Sequence, residues 1–245
     1  MTTARDQVFE GGAFKGSDFA FTREVADVFD DMLVRSVPFY LEQQAIIKDF
    51  AKRFYIPGTC VYDLGSSTAT TLLNIAAELK DKNPRLIGYD NSMPMVEKAR
   101  ARVKDMQCDG MIDIRHGDIN DVPLEPSSFV TMCWTLQFIR PLHREALIRR
   151  IYESLENNGA LVVAEKVLTN SSDMNRVFIE QYYEYKRRNG YSEEEIARKR
   201  EALENVLIPY RIDEDMTLFR RAGFEIVETF FQWYNFIGFL CVKKA

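Results

Sequence analysis

From residue 59 to residue 166 the chain alternates short strand-like runs with longer runs of helical period. The strand-like runs are TCVYDL (59–64), RLIGYD (85–90), MIDIRHGD (111–118), SFVTMCW (128–134) and ALVVAEK (160–166), and helical periods cover 69–81, 93–107 and 143–156. Strands joined through helices pair in parallel by right-handed crossovers, with helices shielding both faces of the sheet. The expected fold is therefore α/β, Rossmann-like and mostly parallel. Such a sheet binds ligands beyond the carboxyl ends of its strands, near the switch in strand order.

The flanks add to this frame without breaking it. Residues 1–18 carry Gly11, Gly12 and Gly16 and little periodicity, so they read as a loose arm, with 19–245 as one domain. Thr22 caps REVADVFDDMLVRS, and Pro38 suits the first turn of PFYLEQQAIIKDFAKRF. Two helical stretches, 173–190 and 192–206, are split by Gly190 and capped by Ser192. They form an insertion over about 170–206 that the sheet does not require, read as a lid or partner surface. After a helix over 213–222, FEIVETFFQWYNFIGFLCVKK is strand-like on both sides of Tyr234-Asn235 and suggests an antiparallel hairpin at the sheet edge.

Composition excludes several classes. A net charge of −5 argues against binding nucleic acid through the bulk field. Two histidines, His116 and His143, and four scattered cysteines, Cys60, Cys108, Cys133 and Cys241, give no metal-ligand spacing. No apolar run approaches a membrane span, and the first residues lack the apolar core of a signal peptide. The expectation is a cytoplasmic protein with neither membrane nor nucleic acid as direct partner.

The strand ends carry the chemistry. The first leads into Gly65-Ser66-Ser67, where a missing Cβ admits a ligand against the backbone. Thr68, Ala69, Thr70 and Thr71 follow instead of the further glycines that a pyrophosphate requires. The second strand ends in Asp90, 25 residues on from Gly65, where an acid can accept both ribose hydroxyls. The third ends in Asp118-Ile119, an acid for an exocyclic amine and an apolar neighbour for a ring. Glycine, acid and acid in succession point to an adenosine ligand without phosphates, and S-adenosylmethionine fits. The alternative at each position is structural: a tight turn at Gly65, a helix start at Asp90. Glu165 and Lys166 end the fifth strand and either border the site or simply terminate it.

Longer segments carry a resemblance. VADVFDDMLVRSVPFY, VYDLGSS, IGYDNSMPMVEKAR, IYESLENNGALVVAEK, RRNGYSEEEIARKREALENV and FFQWYNF resemble the carboxy-S-adenosylmethionine synthase family, from about residue 18 to the end. The resemblance implies a homodimer of class I methyltransferase fold. It implies conversion of S-adenosylmethionine and prephenate to carboxy-S-adenosylmethionine and phenylpyruvate, the former serving a separate enzyme that modifies a tRNA wobble uridine. It also implies ligand contacts from Tyr40, Gly65, Ser66, Ser67, Asp90, Asn91, Asp118, Ile119 and Cys133, and a catalytic role for Arg200. A guanidinium there could hold the new carboxylate in a bidentate fork; on residues alone Arg200 is a solvated helix charge.

Two positions depart from the family pattern. Ala69 stands for a second glycine and Cys133 for an asparagine. A thiol hydrogen-bonds weakly where an amide bonds well, which keeps open an ordinary small-molecule methyltransferase or a non-catalytic binder of the same nucleoside. A thiol on an apolar strand is most simply packing.

Overall fold

The computed structural model describes residues 5–8 and 19–245. Seven strands form one sheet: β1 (Cys60–Leu64), β2 (Arg85–Asp90), β3 (Ile112–His116), β4 (Ser127–Cys133), β5 (Leu155–Lys166), β6 (Ile226–Trp233) and β7 (Phe236–Val242). Their order is β3-β2-β1-β4-β5-β7-β6. The first five are parallel, and β7 runs antiparallel to both β5 and β6. The chain steps outward from β1 to β3 and then returns to β4, so the switch in strand order lies between β1 and β4.

Both faces of the sheet are covered, which explains why β1 is buried along its whole length. On one face lie α2 (Tyr40–Phe54), α3 (Thr70–Leu79) and α4 (Met93–Asp105), packed on Val61, Phe129 and Val162. On the other lie α5 (Pro141–Ser154) and α8 (Ile212–Ala222), packed on Tyr62, Met132 and Phe239. A third cluster joins α1 (Arg23–Ser36) to Phe19, to Met95 of α4 and to Ala202 of α7 (Glu193–Leu203).

The insertion comprises α6 (Ser172–Arg188) and α7, and it docks on α1. The Tyr182 hydroxyl donates to the Ser36 carbonyl at 3.0 Å, Arg35 Nε to the Asn189 carbonyl at 2.9 Å, and Phe19 N to the Ala202 carbonyl at 3.0 Å. Its two ends meet: Leu168 N donates to the Tyr210 carbonyl at 2.8 Å, within an isolated parallel bridge between Leu168 and Arg211.

Two expectations shift. The helix read over 143–156 starts at Pro141, whose fixed φ suits the first turn, and stops at Ser154. Leu155 then pairs with Ser127, and an irregularity separates this from the Ala160–Phe129 pair. Of the arm read over 1–18, only 5–8 lie among the described residues, and these are docked rather than loose. Asp6 is buried; its carboxylate accepts from the Tyr191 hydroxyl at 2.6 Å, and its N donates to Asp31 Oδ2 at 2.7 Å. Among the described residues no helix is long and apolar enough to cross a membrane.

Candidate functional site

At the exit of β1 the backbone enters the left-handed region at Gly65, φ +85°. A Cβ there would lie 2.3 Å from Thr135 Oγ1 and 2.6 Å from its Cγ2, so only glycine lets this turn pass the one that follows β4. Gly65 N and Ser66 N both donate to the Tyr89 carbonyl, at 2.8 and 2.9 Å. Ser67 N donates to Asp90 Oδ2 at 2.9 Å, and Ser92 N to Asp90 Oδ1 at 2.8 Å. Asp90 thus ties the exits of β1 and β2 together. Burial raises its pKa, and the two backbone donors pull the other way. Each oxygen keeps a further lone pair, enough for a vicinal diol.

The turn is braced from outside. Thr68 and Thr70 hydroxyls donate to Asp30 Oδ1 of α1 at 2.7 and 3.1 Å, and Arg102 Nη1 of α4 donates to the Thr68 carbonyl at 2.8 Å. Ala69, where the family pattern has glycine, sits fully buried at φ +66°. The left-handed conformation is the physical reason a glycine belongs there, and alanine holds it at a strain of about 1 kcal/mol.

Tyr40 opens α2 and is buried, its hydroxyl raised in pKa by desolvation and by Cys133, Asp30 and Asp63. The Cys133 thiol is also raised, by burial first and then by Asp63, which keeps it protonated and unsuited to nucleophilic attack. Asp63 was not singled out from sequence. It accepts from Thr131 Oγ1 at 2.8 Å and is pushed up to about 7 by burial, with Asp90 adding. The available signal was a carboxylate inside an apolar strand, two residues before Gly65.

Asp118 Oδ1 accepts from Asn120 N and Nδ2, both at 2.9 Å, on an exposed turn, while Ile119 is buried. Asn91 is exposed, and His116 Nε2 lies 3.1 Å from its carbonyl oxygen. Gly117 N donates to the Asp90 carbonyl at 3.0 Å, so the exits of β1, β2 and β3 stand side by side. Arg200 is placed apart. It lies on α7 with a side chain 58% exposed, 3.9 Å from Glu201 Oε1, and the single chain gives it no contact with these residues among those described.

Two groups of buried charge flank the end of β5. Arg144, Glu165 and Asp215 are fully buried between β5, α5 and α8. Burial raises both carboxyls, Asp215 to about 7; the charge of Asp215 adds to the rise of Glu165, those of Glu214 and Asp213 to the rise of Asp215, and Arg144 opposes both. The second group is Lys166, Lys186 and Lys199. The groove lined by Pro123, Pro126, Glu153 and Lys243 opens instead at the starts of β4 and β5, away from these residues.

The exits of β1 and β2 carry groups that suit a nucleoside. Ser66 Oγ is buried without a partner and Asp90 has lone pairs to give, but the Cβ side of Gly65, expected to admit a ligand, is filled by the Thr135 side chain. Asp90→Asn is expected to weaken S-adenosylmethionine binding about 30-fold, because an amide cannot accept at both oxygen positions. Calorimetry would measure it; unchanged affinity would show that Asp90 serves the turn alone.

Residues 61–159 match the family model described as Methyltransferase domain. The chain is 47% identical over 98% of its length to a Methylococcus capsulatus protein, all of which is covered, named carboxy-S-adenosyl-L-methionine synthase. A Desulfotalea psychrophila protein of the same name is 43% identical, with 99% of each chain covered. Among solved structures, human N-acetylserotonin methyltransferase in complex with SAM has a TM-score of 0.65 at 15% identity, covering 98% of this chain and 63% of that one. That likeness shows the fold alone.

Proposed function

Because the chain belongs to the carboxy-S-adenosyl-L-methionine synthase family, we propose that the crevice between β1 and β4 holds S-adenosylmethionine for carboxylation with prephenate as carboxyl donor. The chain is a transferase of Rossmann-like fold that uses S-adenosylmethionine. The observation that carries the reading is the Gly65–Asp90 arrangement: a tight turn whose Ser67 N is held by an acid with lone pairs to spare, followed by threonines where a phosphate site needs glycines.

In this reading Asp90 takes the ribose hydroxyls, Asp118 the exocyclic amine and Ile119 the ring face. Gly65, Ser66 and Ser67 border the methionine tail, with Tyr40 and Cys133 at the sulfonium end. Bound there, the substrate supplies a methyl group acidified by its sulfonium, and prephenate supplies carbon dioxide as its ring aromatises. The neutral Tyr40 hydroxyl and Cys133 thiol line this end without adding charge. The product is read as feeding a separate enzyme of tRNA wobble-uridine modification, in the cytoplasm.

Arg200 is assigned to the new carboxylate, presented within a homodimer. Its exposure on α7, together with exposed Phe39, Leu41, Met174, Val177 and Tyr234, supports an assembly in which surfaces of the single chain become covered. Arg200→Ala is expected to weaken retention of the carboxylated product about 30-fold and leave S-adenosylmethionine affinity unchanged. Arg200→Lys should recover only part, since an ammonium cannot form the bidentate fork. Equal losses for both ligands would remove Arg200 from the site.

The reading itself is tested by incubating the protein with S-adenosylmethionine and prephenate and following both products by mass spectrometry. Carboxylated sulfonium and phenylpyruvate should appear together and only when both substrates are present. Absence of the carboxylated product would overturn it, and release of S-adenosylhomocysteine with a small acceptor would mark an ordinary methyltransferase instead.

A further inference from the structure

Between β3 and β4 the chain turns through Gly117–Val122 with no helix or strand to hold Asp118 in place. The turn first closes on itself. The Asp118 carbonyl accepts from Asp121 N at 2.9 Å and Val122 N at 3.1 Å, and its Oδ1 accepts from Asn120 N and Nδ2, both at 2.9 Å. Both Asn120 donors thus fall on one carboxylate oxygen, and among the described residues Oδ2 takes none. Oδ2 is the oxygen left to accept from a ligand.

Bonds confined to so short a turn leave it free to move as a unit, so its position depends on ties to the rest of the fold. Ile119 and Val122 bury their side chains in the cluster that includes Leu147 and Ile151 of α5. Asn120, between them, has no such anchor. It lines the groove at the starts of β4 and β5 together with Asp121, Arg150 and Glu153. Arg150 supplies the tie. Its Nη1 donates to the Ile119 carbonyl at 3.4 Å and to the Asn120 carbonyl, and its Nη2 donates to the Val122 carbonyl. Among the described residues these are the hydrogen bonds that join the turn to α5.

The helix is a fixed base for this reach, because Leu147, Ile148 and Ile151 are buried against the sheet. A guanidinium also suits the task, since its planar fork spreads donors over several carbonyls where an ammonium concentrates them at one point. The route to a ligand then runs through Asn120: Arg150 holds its carbonyl, and its N and Nδ2 hold Asp118 Oδ1. We infer that Arg150 is a positioning residue for base recognition, acting through Asn120 to set Asp118 Oδ2 against the exocyclic amine, a role that rests on the proposed assignment of Asp118 to that amine.

Two consequences separate this role from general support. The base lies at the other end of the nucleoside from the reacting methyl group, so losing Arg150 should weaken binding and spare turnover. A carboxylate oxygen accepts from an amine and repels an oxo group, so the quantity that reports on Asp118 is discrimination between those bases, beyond affinity alone.

The test measures S-adenosylhomocysteine and S-inosylhomocysteine, which carry the amine and an oxo group respectively, by calorimetry on wild type and variants. Wild type is expected to favour the adenosyl ligand about 100-fold. Arg150→Met should bind the adenosyl ligand about 10-fold less tightly and the inosyl ligand unchanged, losing about 10-fold in discrimination. Its KM for S-adenosylmethionine should rise by a similar factor at unchanged kcat. Arg150→Lys should recover part of the loss. In an Asp118→Ala background Arg150→Met should cost no further discrimination, because the group it orients has gone. Equal losses for both ligands, the same loss added on top of Asp118→Ala, or wild-type discrimination in Arg150→Met would each overturn the role. If Arg150→Met is too unstable to bind either ligand, Arg150→Lys and Asn120→Ala decide: each should lose about 3-fold in discrimination, and wild-type values in both overturn it. Should Asp118→Ala itself keep wild-type discrimination, the assignment of Asp118 fails and the role of Arg150 falls with it, a result distinct from a silent Arg150 beside a responsive Asp118.

Discussion

Gly65→Ala is expected to reduce S-adenosylmethionine affinity by more than about 100-fold. Two costs combine. A non-glycine residue at φ +85° is strained by about 1–2 kcal/mol. Its Cβ would also lie 2.3 Å from Thr135 Oγ1, a short side chain with little freedom to retreat, so the backbone after β4 must move. Overpacking of this kind typically costs about 1–3 kcal/mol. The displaced segment includes Cys133 and Trp134, so the strain falls on the exit of β4, beside the proposed site, rather than on a distant loop. Thr135→Ala in the same chain should recover the clash and not the backbone strain, and a double-mutant cycle by calorimetry separates the two. Wild-type affinity in Gly65→Ala would place the ligand elsewhere.

The ligand-free protein is expected to be least stable near pH 7–8. Asp63 is pushed up to about 7 in the fold, so between its unfolded value near 4 and about 7 the folded state binds more protons than the unfolded chain. Stability therefore falls as pH rises through that window, and Asp215 and Glu165 add to the fall. The lysines act with the opposite sign. Lys166 and Lys199 are drawn down to about 8, so from about 8 to about 10.5 the folded state holds fewer protons and stability rises with pH. Asp63→Asn, which can still accept from Thr131, should remove on the order of 3 kcal/mol of the acid-side slope. Chemical unfolding at pH 5, 7.5 and 9.5 would show the trough; stability rising steadily from 5 to 7.5 would contradict it.

The sheet was legible because period and burial agree along β1, β2, β4 and the core of β5, where both faces are covered. The tight turn at Gly65 and the helix start at Asp90, the structural alternatives at those positions, were legible because their backbone requirements are local to a strand end. What escaped depends on distant partners. Lys186 and Lys199 lie among RRNG and RKRE, where a charge reads as solvated, and only the docking of α6 and α7 on α1 buries them. Glu165 and Asp215 are far apart in sequence and meet only because α8 lies across β5. Asp6 escaped for the same reason: its partner Tyr191 lies at the far end of the fold's cover.

The bridge between Leu168 and Arg211 closes the helical pair on itself at a single point of the scaffold. The stretch from Thr169 to Tyr210 is thus a cassette by connectivity, while its body is held by contacts to α1, to β7 and to the turn after β4. Under the proposed assignment of Arg200, the carboxylate contact lies on this insertion, so a change of insertion would alter the reaction while the strand ends stay as they are. Transplanting that cassette onto a related sheet would ask whether the anchorage travels with it.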